Sequence, residues 1–201
     1  MSLLVKICGM ATDEAINAAV AAGADAIGFV FHGPSLRSVE PLRAATLAGS
    51  IPAGILRVAV TLHPSQALVD RVLAEFLPDV WQSDAVDFEA LHLPPTITCW
   101  PVWRSGASSP ETPPPRLLFE AAESGAGARA DWTAAARLAK YCGLILGGGL
   151  DAANVGAAIA AVRPYGVDVS SGVEREPGVK DPAMIRAFIK AARTADQGVT
   201  S

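Results

Sequence analysis

The chain has 201 residues, 51% of them apolar, with a formal net charge of −4 and a pI near 5.3. That is enough apolar material for a substantial core, and it leaves no basic field to draw nucleic acid or an anionic membrane to the surface, so any anion must be held by local groups. No apolar stretch approaches the ~20 residues needed to span a bilayer and no basic segment precedes an apolar one at the N-terminus, so a soluble cytoplasmic protein is expected.

In chain order, short apolar runs alternate with amphipathic segments. Buried parallel strands read this way because helices cover both of their faces. Leu3 to Ile7 is the first run, and Thr12 can cap a helix over Asp13 to Ala22, with Asp13 and Glu14 in its first turn and Gly23 at its stop. Ala26 to Phe31 and Arg57 to Leu62 follow, then a helix from Pro64-Ser65 to about Glu75. Asp79 to Gln82 and Ile97 to Val102 are the fourth and fifth runs.

Arg104 to Pro115 then holds four prolines among small polar residues, which predicts a loop where a helix is due. Arg116 to Phe119, Gly143 to Leu146 and Gly166 to Val169 complete eight runs; Asp151 can cap Ala152 to Ala161, and Pro182 opens a last helix to about Thr194. Such βα alternation builds one parallel sheet by right-handed crossovers. The fold class expected is therefore α/β: a single (β/α)8 barrel over residues 1–201, with the helix after strand five replaced by a proline-rich loop.

The residues that can carry chemistry lie at the ends of these runs. Leu146-Gly147-Gly148-Gly149-Leu150 and Val169-Ser170-Ser171-Gly172-Val173-Glu174 follow the last two strands, where an α/β barrel holds phosphate on glycine amides and helix N-termini. One such loop alone is an ordinary tight turn; two in succession favour the phosphate reading. Cys8 ends strand one, where its thiol serves either as a base tuned by neighbouring charge or as a small buried side chain. Lys6, two residues earlier, alternates into the barrel beneath it.

Glu120 ends strand six as a rim carboxylate able to move a proton, with Glu123 as a competitor and a solvated loop residue as the plain alternative. Arg37, in Gly33-Pro34-Ser35-Leu36-Arg37-Ser38, offers a fork to a carboxylate, or is a solvated loop residue. Asp168 either orients a substrate amine or hydroxyl, or ties down loop amides. Cys8, Cys99 and Cys142 are too few and too widely spaced for a disulfide framework or a zinc site, and His32, His63 and His92 are equally scattered, so no metal is expected.

Taken together, these segments resemble the N-(5'-phosphoribosyl)anthranilate isomerases of tryptophan biosynthesis. The likeness runs through Lys6-Ile7-Cys8-Gly9, Gly23 to Phe31, Ser35 to Arg37, Gly148-Gly149-Leu150 and Asp168 to Glu174, followed by Pro177-Gly178 and Lys180-Asp181. It implies an Amadori rearrangement without metal or organic cofactor, in which Cys8 is the base at C2' and Glu120, where the family usually has aspartate, protonates the ring oxygen. It further implies that Arg37, Gln82 and Asp168 contact substrate, and that Gly148, Gly149, Ser170, Ser171 and Gly172 hold the phosphate. Leu36 stands where the family usually has proline, and Gln82-Ser83-Asp84 replaces its common Gln-Leu-His-Gly.

The implied partner is a small phosphoribosyl substrate, with neither nucleic acid nor membrane, for a monomer or homodimer. Two rivals remain in this reading: another phosphosugar barrel working with rim carboxylates or a metal, and a binding barrel without turnover. Cys8 with Arg37 speaks against the first, and Glu120 against the second.

Overall fold

The computed structural model describes residues 2–107, 112–122 and 128–199. Eight parallel strands close into a barrel in chain order: β1 (Leu4–Cys8), β2 (Ala26–Val30), β3 (Leu56–Val60), β4 (Val80–Asp84), β5 (Thr98–Arg104), β6 (Arg116–Glu120), β7 (Gly143–Leu146) and β8 (Gly166–Val169). β8 pairs back onto β1, with Leu4 opposite Gly166 and Lys6 opposite Asp168. All eight apolar runs are strands, because a run buried on both faces has no other place in an α/β core.

Among the described residues six α-helices cover the barrel: α1 (Asp13–Ala22), α2 (Pro41–Ala48), α3 (Gln66–Glu75), α4 (Trp132–Leu138), α5 (Val155–Val162) and α6 (Pro182–Val199). Thr12 caps α1 by accepting from the Ala15 amide, and Gly23 ends it in the left-handed region at φ 90°. α5 starts later than the sequence predicts. The Asp151 carboxylate takes the amides of Ala153 and Asn154 in a preceding turn, and the helix begins only at Val155.

α2 and α4 are additions to the sequence reading; each has a start signal, Pro41 at the first turn of α2 and Asp131 accepting from Thr133 and Ala134 at α4. β4 leads only into a short 3-10 turn, Ala85–Glu89. The proline-rich connection after β5 is described at its two ends, as turns and bends at 105–107 and 112–115, and residues 108–111 lie outside the described residues. A small hairpin, β9 (Glu174–Glu176) with β10 (Val179–Lys180), follows β8. Among the described residues no helix is long and apolar enough to cross a membrane.

The apolar side chains form two layers. Leu4, Ala26, Val58, Val80, Trp100, Val102, Leu118 and Ile145 fill the barrel, while a larger cluster including Val5, Ile7, Phe29, Trp81 and Phe188 packs between sheet and helices. Each fully buried side chain of this kind contributes about 1.5–3 kcal/mol relative to exposure. Because side chains alternate along a strand, the inward phase set by Leu4 carries Lys6 and Cys8, that of Val80 carries Gln82 and Asp84, and that of Trp100 and Val102 carries Arg104. The same phase takes Leu118 to Glu120 on β6. The apolar plug at the bottom thus fixes which polar groups meet at the top.

Candidate active site

At the C-terminal mouth those inward residues line one cavity of about 400 Å³. Cys8, Gln82, Asp84, Arg104, Glu120 and Asp168 come from five strands, Arg37 and Ser170 from the loops after β2 and β8, and Val30, Pro34, Leu36, Val60, Leu62 and Val102 supply an apolar wall. Few polar groups converging on an apolar wall is the composition of a small-molecule site. Six of the residues singled out in the sequence therefore share one space.

Cys8 is buried, and its thiol stands beside Lys6 at a place where β2 has no side chain. A Cβ on Gly28 would lie 3.1 Å from Cys8 Sγ and 3.1 Å from Lys6 Nζ. Lys6 is fully buried and donates to Asp168 Oδ1 at 2.8 Å. Burial alone would lower the Lys6 pKa, but Asp168 and Cys8 outweigh it and the ammonium is held above its ordinary range. Burial pushes the Cys8 thiol up, and Asp168 adds to that, while the Lys6 and Lys180 ammoniums pull it back. The two cations thus favour the thiolate in a pocket that otherwise opposes it.

Arg37 is gripped from behind. Its Nε and Nη2 donate to the two oxygens of Glu174 at 2.7 and 2.9 Å, a bidentate pair that leaves its remaining N–H groups to the cavity. Glu174 also accepts from Lys180 Nζ at 2.6 Å, and although burial raises its pKa, Arg37 and Lys180 prevail and bring it to about 2. Lys180 donates in turn to Ser170 O at 2.9 Å and Ser170 Oγ at 3.1 Å. The hairpin is what returns Lys180 to Ser170. Sequence reading missed Glu174 and Lys180 as parts of the site; their charges inside a glycine- and serine-rich loop were the available signal.

The two loops expected to bind phosphate touch each other. Gly148 and Gly149 lie in the left-handed region at φ 81° and 63°, and a Cβ on Gly172 would fall 1.9 Å from the Leu150 carbonyl oxygen. Asn154 Nδ2 donates to Gly149 O at 2.8 Å and ties that carbonyl back toward α5. Ser170 lines the 400 Å³ cavity, whereas Gly148, Gly149, Ser171 and Gly172 do not line it.

On the opposite side, Arg104 at the end of β5 donates to Glu120 on β6 and to Asp84 on β4. Asp84 and Arg104 were not singled out in the sequence, since each ends a strand as an ordinary charged residue. Glu123, the competing acid, lies outside the described residues. Gln82 lines the cavity at 5% exposure, and its buried Oε1 has no hydrogen-bond partner among the described residues.

Comparison with known proteins gives the family of this barrel. The family model for N-(5'-phosphoribosyl)anthranilate (PRA) isomerase matches residues 104–191. The N-(5'-phosphoribosyl)anthranilate isomerase of Bordetella petrii is 41% identical, covering 98% of this chain and 97% of that protein. The crystal structure of TrpF from Jonesia denitrificans superposes with a TM-score of 0.81 at 33% identity, covering 96% of this chain and 98% of the other. A phosphoribosyl anthranilate isomerase solved in complex with reduced 1-(o-carboxyphenylamino)-1-deoxyribulose 5-phosphate superposes at 0.76 with 29% identity, covering 96% and 99%. With a relative 41% identical over nearly the full length of both chains and the barrel superposing on TrpF, the chain belongs to the N-(5'-phosphoribosyl)anthranilate isomerase family.

Proposed function

We propose that residues 1–201 act as one catalytic domain in which Cys8 and Glu120 divide the proton transfers of the family's reaction. That reaction converts N-(5-phosphoribosyl)anthranilate to 1-(2-carboxyphenylamino)-1-deoxyribulose 5-phosphate in tryptophan biosynthesis. The observation that carries the assignment is that Cys8 and Glu120, from β1 and β6, face the same 400 Å³ cavity.

Protonation of the ring oxygen by Glu120 lets the C1'–O bond break as the anthranilate nitrogen forms a Schiff base with C1'. Removal of the C2' proton by the Cys8 thiolate then moves its electron pair toward that nitrogen, and the resulting enolamine tautomerises to the ketose. Proton loss and gain balance, as an isomerisation requires. Lys6 and Lys180 favour the thiolate that accepts the proton. The Gly148-Gly149 and Ser170-Ser171-Gly172 loops hold the phosphate on backbone donors, and Arg37, Gln82 and Asp168 contact the rest of the substrate.

The apolar wall of Val30, Leu36, Val60 and Leu62 suits the aromatic ring, and the relative solved with reduced 1-(o-carboxyphenylamino)-1-deoxyribulose 5-phosphate supports a ligand of this class. The enzyme acts in the cytoplasm as a monomer or homodimer, on a small molecule rather than nucleic acid or membrane. Turnover of freshly generated phosphoribosylanthranilate, followed as loss of its fluorescence with Cys8→Ala alongside, tests the reading. Turnover by the wild type alone supports it; no turnover by folded wild type rejects it.

A further inference from the structure

Arg104 is shared. One of its terminal nitrogens donates to Glu120 and the other to Asp84, so three charged side chains from β6, β5 and β4 form a chain along the cavity wall. All three are largely removed from solvent, with side-chain exposures of 16%, 22% and 18%. Two carboxylates on one guanidinium leave the group with a net negative charge when both are ionised.

We propose that Asp84 and Arg104 are positioning residues that set how tightly Glu120 holds its proton, the arginine favouring its release and the aspartate opposing it. The inference rests on Glu120 being the acid. A carboxyl beside a guanidinium ionises more readily, and one beside a second carboxylate less readily. An acid bound to Arg104 alone would remain ionised and unable to deliver a proton. Asp84 draws part of that positive charge to itself, and Arg104 in turn keeps Glu120 aimed into the cavity.

His63, in the loop after β3, has Nε2 3.7 Å from Asp84 Oδ2, and its Nδ1 pairs with Asp87 of the Ala85–Glu89 turn at 2.7 Å. Asp87 also accepts from Ser83 on β4. Cys8, Lys6 and Asp168 belong to β1 and β8.

The test is the pH profile of kcat, read at the limb that disappears in Glu120→Gln. In Asp84→Asn that limb moves to lower pH by about one unit, and in Arg104→Met it moves to higher pH by a similar amount. Arg104→Lys, which keeps the charge, leaves it near its wild-type place. Because the two shifts are opposite, general damage to the site does not reproduce them. Asp84→Asn is nearly isosteric and decides the matter even where Arg104→Met does not fold. The shifts persist in a His63→Gln background; if they vanish there, His63 owns the limb and the inference fails. If the limb stays in place in Asp84→Asn, or moves the same way in both variants, the inference is overturned while the acid role of Glu120 stands. If Glu120→Gln keeps wild-type turnover, it is the acid role itself that falls.

Discussion

Lys6 and Asp168 face each other across the seam where β8 closes on β1, and the Lys6 ammonium donates to the Asp168 carboxylate at 2.8 Å inside the barrel. That one cation serves two acidic neighbours, because it also lowers the pKa of the Cys8 thiol above it. Removing it therefore has a structural and a chemical consequence. Lys6→Met leaves Asp168 buried without its partner and is expected to cost about 3–5 kcal/mol in urea unfolding. Adding Asp168→Asn restores part of that loss. In the Lys6→Met protein the thiol, followed by thiolate absorbance after Cys99→Ala and Cys142→Ala, titrates at higher pH than in the same background with Lys6. An unchanged titration would remove Lys6 from the tuning of Cys8.

Cys8→Ala removes the proposed proton acceptor with a small change in side-chain volume. Turnover is expected to fall below detection while the affinity for a reduced product analogue changes less than threefold, a split that places the residue in the chemical step. Glu120→Gln keeps shape and hydrogen bonding but cannot give up an acidic proton, so kcat falls by about 10²–10⁴ with little change in KM. Substantial turnover by either variant would reassign its role, and a matching loss confined to Glu123→Gln would move the acid to that residue.

The barrel was legible because its strands are continuous apolar runs, and Cys8, Glu120 and Asp168 were legible because each ends such a run. What the sequence left hidden depends on contacts between distant segments. Arg104 sits at the head of a proline-rich stretch, and only closure of β4, β5 and β6 side by side puts Asp84 and Glu120 on either side of it. Glu174 and Lys180 are separated from Arg37 by more than a hundred residues, and the hairpin that joins them follows no strong strand signal. α2 and α4 escaped notice because short helices carry few periodic positions, although Pro41 and Asp131 marked their starts.

Gly172 tests the proposed phosphate site. Any side chain there would overlap the Leu150 carbonyl, since an added Cβ lies 1.9 Å from that oxygen, and backbone cannot rotate away as a side chain can. Gly172→Ala must therefore part the loops after β7 and β8. At least a tenfold rise in KM is expected, together with loss of inhibition by inorganic phosphate. A variant with wild-type KM and phosphate inhibition would take this loop out of the phosphate site.

Glu174 links the arginine to the loop through charge, and its effect should appear in the pH dependence of stability. Its carboxyl titrates at about 2 in the fold against an ordinary 4.5, and its side chain is only 4% exposed. A folded value below the unfolded one stabilises the protein above the unfolded pKa, and the contribution disappears as pH falls from 4.5 toward about 2. At 1.36 kcal/mol per pH unit the difference amounts to about 3 kcal/mol. Glu174→Gln also leaves Arg37 and the buried Lys180 without their carboxylate. Urea unfolding at neutral pH is therefore expected to find this variant less stable than wild type by about that amount, with the gap narrowing steadily below pH 4.5. A gap that stays constant down to pH 3 would show that the difference does not come from the ionised Glu174 carboxylate.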